Sequence, residues 1–289
     1  MSWCIAADSS CNLRSFVPTA PETSFRLAPL KVHVGDREFV DDAQLDVAEL
    51  TKAIAAEDTA TSSSCPSIGE WAEIFRSADN IIAVTISSSL SGSYEAAQMA
   101  RTMIMDEYVR EHAGSIAGKN IYILNSRAAG GKLEVLVRLL DAYLKQPHAF
   151  EDVVAFIDHA EESSQVLYSL SRYENLVKSG RMPRGVGSIA SKLNIRILGT
   201  ASSEGTIKLI GSTRGEKKTI NKIVDTMASN GFSGGSVSID HRDNVNGALG
   251  IKEAILQRWP MATVHIESCG GLCSYYAEES GLLIGYEWA

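Results

Sequence analysis

No apolar stretch in this 289-residue chain approaches the roughly 20 residues that span a bilayer, so an integral membrane protein is not expected. The opening "MSWCIAADSS" carries neither a basic head nor the roughly 7–15 apolar residues of a secretory signal, which favours a cytoplasmic protein. Cysteine is sparse. The five (Cys4, Cys11, Cys65, Cys269, Cys273) are odd in number and dispersed, which argues against a disulfide framework and for reduced thiols. Positive charge is short too: 27 basic against 35 acidic side chains give a net charge of −8, which repels a phosphate backbone, so no nucleic-acid partner is expected. The densest basic segment, Arg214 to Lys222, is diluted by Glu216 and reads as an exposed helix start. No GxxxxGK[ST] occurs, which excludes a P-loop.

What remains is the composition of a soluble globular protein, 45% apolar and 21% charged, long enough for two domains or one large α/β unit. Short β-rich runs ("WCIAA", "LAPLKVHV", "NIIAVTIS", "NIYILNS") alternate with helical patterns, the signature of βαβ units around a parallel sheet. Ser67 and Glu70 have capping-box spacing ahead of an apolar stripe at Trp71, Ile74 and Phe75. Leu133 to Leu144 reads as the clearest amphipathic helix, closed by Pro147. The texture changes near residue 155, where a second domain is expected to begin. It opens with a helix near 151–162 and the run "QVLYSLS", followed by two strands around a turn at Glu204-Gly205. A helix from about Glu216 and the strands "GGSVSID" and "ATVHIES" complete it.

Three tempting motifs carry little. Gly185 to Ala190 matches a dinucleotide fingerprint, but "KSGRMPR" before it cannot be the strand that fingerprint requires. His265, Cys269 and Cys273 recur every four residues, yet Gly270 and Gly271 disfavour the helix that would align them as metal ligands, so buried thiols are expected. A nucleophile elbow at Ser91 would need GxSxG, and Ser89 and Ser93 stand where its glycines belong. No histidine is obviously placed as its base.

The serines nonetheless ask for a reason. "ISSSLSGSY" packs five of them between an apolar run and a helical stretch, and "TSSSCPS" at 61–67 again sets hydroxyls before a helix. Helix N-termini offer unpaired N–H groups and a partial positive charge, and hydroxyls add donors there. One N-cap accounts for one serine, not for five. Two such loops at the carboxyl edge of a parallel sheet would make an anion site, with Gly92 letting a ligand approach the backbone.

Several motifs in order then resemble the bacterial DegV family, the fatty-acid-binding subunits of fatty acid kinase. They are "AADSSCNL", "APLKVHVGDREFVDD", "SSCPSIGEW", "ISSSLSGSYEAA" and "LVKSGRMPRGVGSIASKLNIRILG", and together they cover essentially the whole chain. The resemblance implies an α/β, two-domain DegV-like fold: a Rossmann-like parallel sheet with flanking helices over 1–155, and over 156–289 a second α/β domain with a mostly antiparallel sheet that closes a lipid tunnel. It implies no catalysis and no cofactor, with a long-chain fatty acid as bound ligand whose carboxylate a separate kinase subunit phosphorylates to an acyl phosphate. Membrane-surface contact would be transient. The carboxylate-binding hydroxyls would be Ser63 and Ser91, with Ser64, Gly92 and Ser93 around them, and Arg214 falls on a position linked to kinase docking. Cys65 replaces the family's Gln. The family's C-terminal HxGxG is missing. Ungapped counting from "GLLIGYE" puts Tyr276 in place of its His, and Glu278 and Glu279 would repel an anion if they faced the site. A serine hydrolase of lipid esters using Ser91, and a receptor for another amphipathic anion, stay as alternatives.

Overall fold

In a computed structural model, residues 2–59, 61–182 and 195–288 are described. The first sheet is wholly parallel, with strands β1 (Trp3–Asp8), β2 (Thr23–Ala28), β6 (Asn80–Thr85) and β7 (Asn120–Asn125) in the order β2-β1-β6-β7. The chain places β2 on one side of β1 and then β6 on the other. The carboxyl ends of β1 and β6 therefore flank a switch point, where loops diverge and leave a crevice. Helices α2 (Ile68–Phe75) and α3 (Ser93–Glu111) cover one face, burying Trp71, Ile74, Phe75, Ala97, Ala100 and Ile104. The Ser67–Glu70 capping box forms as its spacing predicts.

The run "LAPLKVHV" is not one strand of that sheet. Pro29 lacks the N–H a ladder needs. β2 stops at Ala28, and β3 (Lys31–Val34) leaves to form a separate antiparallel sheet with β4 (Arg37–Val40) and β5 (Ser62–Ser64). The hydroxyls at 62–64 thus lie on a short strand and not in a loop. No helix follows β1 before β2 either.

The second sheet is mostly antiparallel. It orders β10 (Ile207–Arg214), β9 (Ile195–Ala201), β8 (Ser164–Leu170), β13 (Leu282–Glu287), β11 (Ser236–His241) and β12 (Thr263–Ser268), with only the β11–β12 pair parallel. Helices α7 (Glu216–Ser229) and α8 (Val245–Arg258) pack on it over a core of Ile223, Met227, Ile251, Ile255 and Ile284. α7 begins with exposed Glu216, Lys217 and Lys218, as the basic segment suggested. The expected boundary at 155 falls inside α5 (Phe150–Glu162), which packs on both β7 and β8.

The two sheets meet across α4 (Gly131–Tyr143), and its position overrides its amphipathic pattern. Every residue from Gly131 to Val137 is buried, including Lys132 and Glu134. Burying charge requires partners. Lys132 Nζ lies 2.6 Å from Glu161 Oε1, Glu134 bonds Asn12 and Ser238, and Asp141 accepts from Thr19 N at 2.7 Å and Ala20 N at 2.9 Å. Close approach explains Gly131 and Gly285. A Cβ on Gly285 would stand 2.0 Å from the Gly131 carbonyl carbon, so helix and strand touch backbone to backbone. One continuous core, from Ile5 and Val84 through Leu133 and Leu136 to Val166 and Leu283, runs through this junction. No helix of the described residues is long and apolar enough to cross a membrane.

Candidate functional site

At the switch point, Asp8 ends β1 as a fully buried carboxylate. It accepts from Ser10 Oγ (2.6 Å), Ile86 N (2.8 Å) and Ser93 Oγ (2.7 Å), tying the ends of β1 and β6 to the first turn of α3. Burial pushes its carboxyl above the usual range, while the bonds from Ser10 and Ser93 oppose that shift. The following loop, 86–92, then divides its serines among separate tasks. Ser87 Oγ accepts from Ser89 N at 3.2 Å. Ser88 Oγ accepts from Asn125 Nδ2 at 2.8 Å, and Ser89 Oγ donates to the Glu204 carbonyl at 2.6 Å, at the tip of the β9–β10 hairpin. Gly92 is the N-cap of α3, with no side-chain cap.

Ser91 is left. Its hydroxyl has no hydrogen-bond partner among the described residues, and it lines a largely apolar cavity. The wall draws Leu30, Ile86, Leu90 and Ala129 from the first half of the chain, and Tyr168, Leu176, Leu272 and Leu283 from the second. Besides the Tyr168 phenol and the Cys273 thiol, four polar groups interrupt this apolar surface: Ser91, Ser63, Tyr276 and Arg181. Ser63 Oγ and Tyr276 OH lie 2.8 Å apart. Arg181 donates Nε–H to the Leu90 carbonyl at 2.8 Å and holds its guanidinium 5.2 Å from the centre of the Tyr276 ring. That leaves its terminal nitrogens without a protein acceptor among the described residues. The donors are therefore a free hydroxyl, a hydroxyl–phenol pair and a cation, suited to one anionic head on an apolar body.

Tyr276 reaches the cavity because α9 (Gly271–Ala277) forms despite its glycines. Its N-terminal N–H groups are satisfied from distant parts of the chain: Gly270 N donates to Asn12 Oδ1 (2.7 Å), and Gly271 N and Leu272 N donate to Asp41 (2.5 and 3.0 Å). Arg14 pairs with the same Asp41. This helix separates the supposed metal triad, since His265 lies in β12 and Cys269 precedes α9. No group of three or more metal-ligating side chains occurs among the described residues. Burial pushes the Cys269 and Cys273 thiols well up, so both are inert neutral groups.

The structure thus brings Ser63, Ser91 and Tyr276 together and turns Ser64, Gly92 and Ser93 elsewhere. Ser64 Oγ lies 2.8 Å from His33 Nε2, Ser93 is spent on Asp8, and the open side of Gly92 faces Cys65. Neither glutamate after Tyr276 lines the cavity. Glu278 accepts from Asn175 N at 2.8 Å, and Glu279 pairs with Arg172 at 3.3 Å. Arg181 escaped the sequence reading, although it lies in the quoted "LVKSGRMPRG"; nothing in its spacing says that its side chain folds back onto Leu90 and Tyr276. The fingerprint at 185–190 lies outside the described residues. Arg214 is exposed where β10 hands over to α7. No histidine, aspartate or glutamate lines the cavity among the described residues, so Ser91 has no base to activate it.

Comparison with known proteins agrees on one family. The model described as "Uncharacterised protein, DegV family" matches residues 2–287. A DegV domain-containing protein of Streptococcus pneumoniae is 37% identical over 287 residues, 99% of each chain. Among solved structures, the Streptococcus pneumoniae fatty acid kinase (Fak) B3 protein loaded with linoleic acid superposes with a TM-score of 0.94 at 36% identity, covering 100% of both chains. A DegV family protein from Eubacterium eligens loaded with heptadecanoic acid does so with a TM-score of 0.91 at 30% identity, again over 100% of both. By its whole-length match and these relatives, the chain belongs to the DegV family.

Proposed function

We propose that this protein binds one long-chain fatty acid, acyl chain in the apolar cavity and carboxylate at Ser91, Ser63, Tyr276 and Arg181, and presents that carboxylate to a kinase subunit. The observation that carries the reading is that, among the described residues, the Ser91 hydroxyl and the terminal guanidinium nitrogens of Arg181 have no partner, and both side chains line the same, otherwise apolar cavity. Arg181 supplies the positive charge that a phenol in place of histidine cannot. At about 0.8 kcal/mol per buried CH₂, the tail provides most of the affinity and the polar groups chiefly orient the head. The fatty-acid-loaded relatives support the ligand class, and the fatty acid kinase B3 protein supports the partner. The partner would move the γ-phosphoryl of ATP onto a carboxylate oxygen, giving acyl phosphate and ADP, with exposed Arg214 as a docking contact. Hydrolysis of lipid esters is not favoured, because no base or carboxylate lines the cavity among the described residues.

Mass spectrometry of an organic extract of the purified protein tests the ligand class, and a fatty acid in near-stoichiometric amount is expected. Recovery of none, with no uptake by delipidated protein from a defined fatty-acid mixture, overturns the reading. A different amphipathic anion in the extract would move it to the receptor alternative. For the partner, acyl phosphate formation from ATP by a fatty acid kinase catalytic subunit should require this protein and fall with Arg214→Ala.

A further inference from the structure

Behind the cavity wall, a second polar cluster plays no part in the proposed binding. Glu134 of α4 and Asp240 of β11 are both wholly buried, and Asn12 bridges them. Neither forms an ion pair with a basic side chain among the described residues. Their remaining contacts are polar but neutral. Asn12 N donates to Glu134 Oε1 at 3.2 Å, Asn12 Nδ2 donates to Asp240 Oδ2 at 2.8 Å, and the Ser238 hydroxyl donates to Glu134 Oε2. One atom, Asp240 Oδ1, is buried with no donor among the described residues. Two adjacent carboxylates, buried and without a cation, would cost far more than the fold can bear, and an orphaned acceptor in such a place needs a donor.

We propose that Glu134 and Asp240 share one proton, which is the donor missing at Asp240 Oδ1, and that this acid pair latches the two sheets together behind the cavity. The pair joins three elements: the segment after β1 through Asn12, α4 through Glu134, and β11 through Asp240. Asn12 extends it to α9 by accepting from Gly270 N, so the proton underlies the helix that carries Tyr276. It also abuts the wall directly. A Cβ on Gly130 would meet Asp240 Oδ2 at 2.7 Å and Leu283 Cδ2 at 2.6 Å, and Leu283 and Ala129 both line the cavity.

Most groups facing the pair favour retention of the proton, and the donation from Asn12 Nδ2 to Asp240 Oδ2 is the contact that opposes it. From β12, Glu267 adds negative charge, while Arg138 of α4 is occupied 2.7 Å away on Glu267 and His265 is held neutral by burial. From the segments before and within α9, and from the loop after β1, come only the neutral thiols Cys269, Cys273 and Cys11. Burial first, and then Glu134, push the Asp240 carboxyl well above the usual carboxylate range. The folded state therefore binds a proton that the unfolded chain releases near pH 4. Stability from the pair is full at acid pH and declines as pH rises towards the raised folded value.

The test uses full-length, delipidated protein, so that it stands or falls apart from the fatty-acid reading. Thermal unfolding is followed from pH 5 to 9 for the wild type, Asp240→Asn and Glu134→Gln. Asparagine keeps a donor where the shared proton would be, so Asp240→Asn is expected to remove most of the decline in melting temperature with rising pH. Parallel profiles for wild type and both variants would overturn the proposal. Should neither variant fold, infrared spectroscopy of the wild type and of Asp8→Asn, which removes the other fully buried carboxyl that burial pushes up, decides: a protonated-carboxyl band persisting at pH 7.5 in both supports the shared proton, and its absence overturns it.

Discussion

At the scale of single residues, the serine-rich loop shows how far local chemistry could be read and where it stopped. The crowd of hydroxyls signalled a polar site at a strand-to-helix turn, and Ser91 and Ser63 were identifiable by resemblance. Their division of labour was not, because Ser88, Ser89 and Ser93 are claimed by Asn125, Glu204 and Asp8, residues 37, 115 and 85 positions away. Arg181 was hidden for the same reason. Ser91→Ala should weaken fatty-acid binding roughly tenfold, the worth of one hydrogen bond to a charged group, read as the dissociation constant of a fluorescent fatty acid. Arg181→Ala should cost at least as much. Arg181→Lys should restore little, since a flexible ammonium cannot bond the Leu90 carbonyl and the head group in one fixed plane.

At the scale of elements, period and capping located α2, α7 and most strands, whereas glycine content misjudged α9. Propensity is a weak prior that tertiary contacts override, and here Asn12 and Asp41 accept the N–H groups of a seven-residue helix that would not form alone. Asp41→Ala removes two of those acceptors and leaves Arg14 without its partner. A loss of about 3 kcal/mol is expected from denaturant unfolding, together with faster lipid release, because Tyr276 rides on α9. Asp41→Asn should recover part of the stability by keeping one acceptor. α4 was misread in the opposite sense: its polar positions suggested a solvent face, but Lys132, Glu134 and Asp141 are buried and each is hydrogen-bonded from another part of the chain.

At the scale of the molecule, alternating strands and helices pointed to the parallel sheet and the change of texture near 155 to a second α/β unit, while the mostly antiparallel sheet of that unit followed only from the family resemblance. What joins them was not legible, since backbone contact leaves no mark in sequence beyond a pair of glycines 154 residues apart. Gly285→Ala should prevent α4 from seating on β13. A Cβ there meets only backbone, so the expected outcome is a loss above about 3 kcal/mol or failure to accumulate folded protein. Gly114→Ala, where nothing lies within 4 Å, is the control for which only backbone strain at its positive φ remains.

The placement of Tyr276 and Leu283 also bears on how the protein is made. Both lie late in the chain, and α9 takes its acceptors from Asn12 and Asp41, which leave the ribosome 258 and 230 residues ahead of the Gly270 and Gly271 N–H groups they bind. A chain still in synthesis therefore carries Ser63 and Ser91 long before it has a closed cavity for them to serve. On the proposed function, ligand capture waits until α9 and β13 have been made, and a chain cut before residue 271 should retain no lipid, however well its first sheet has formed.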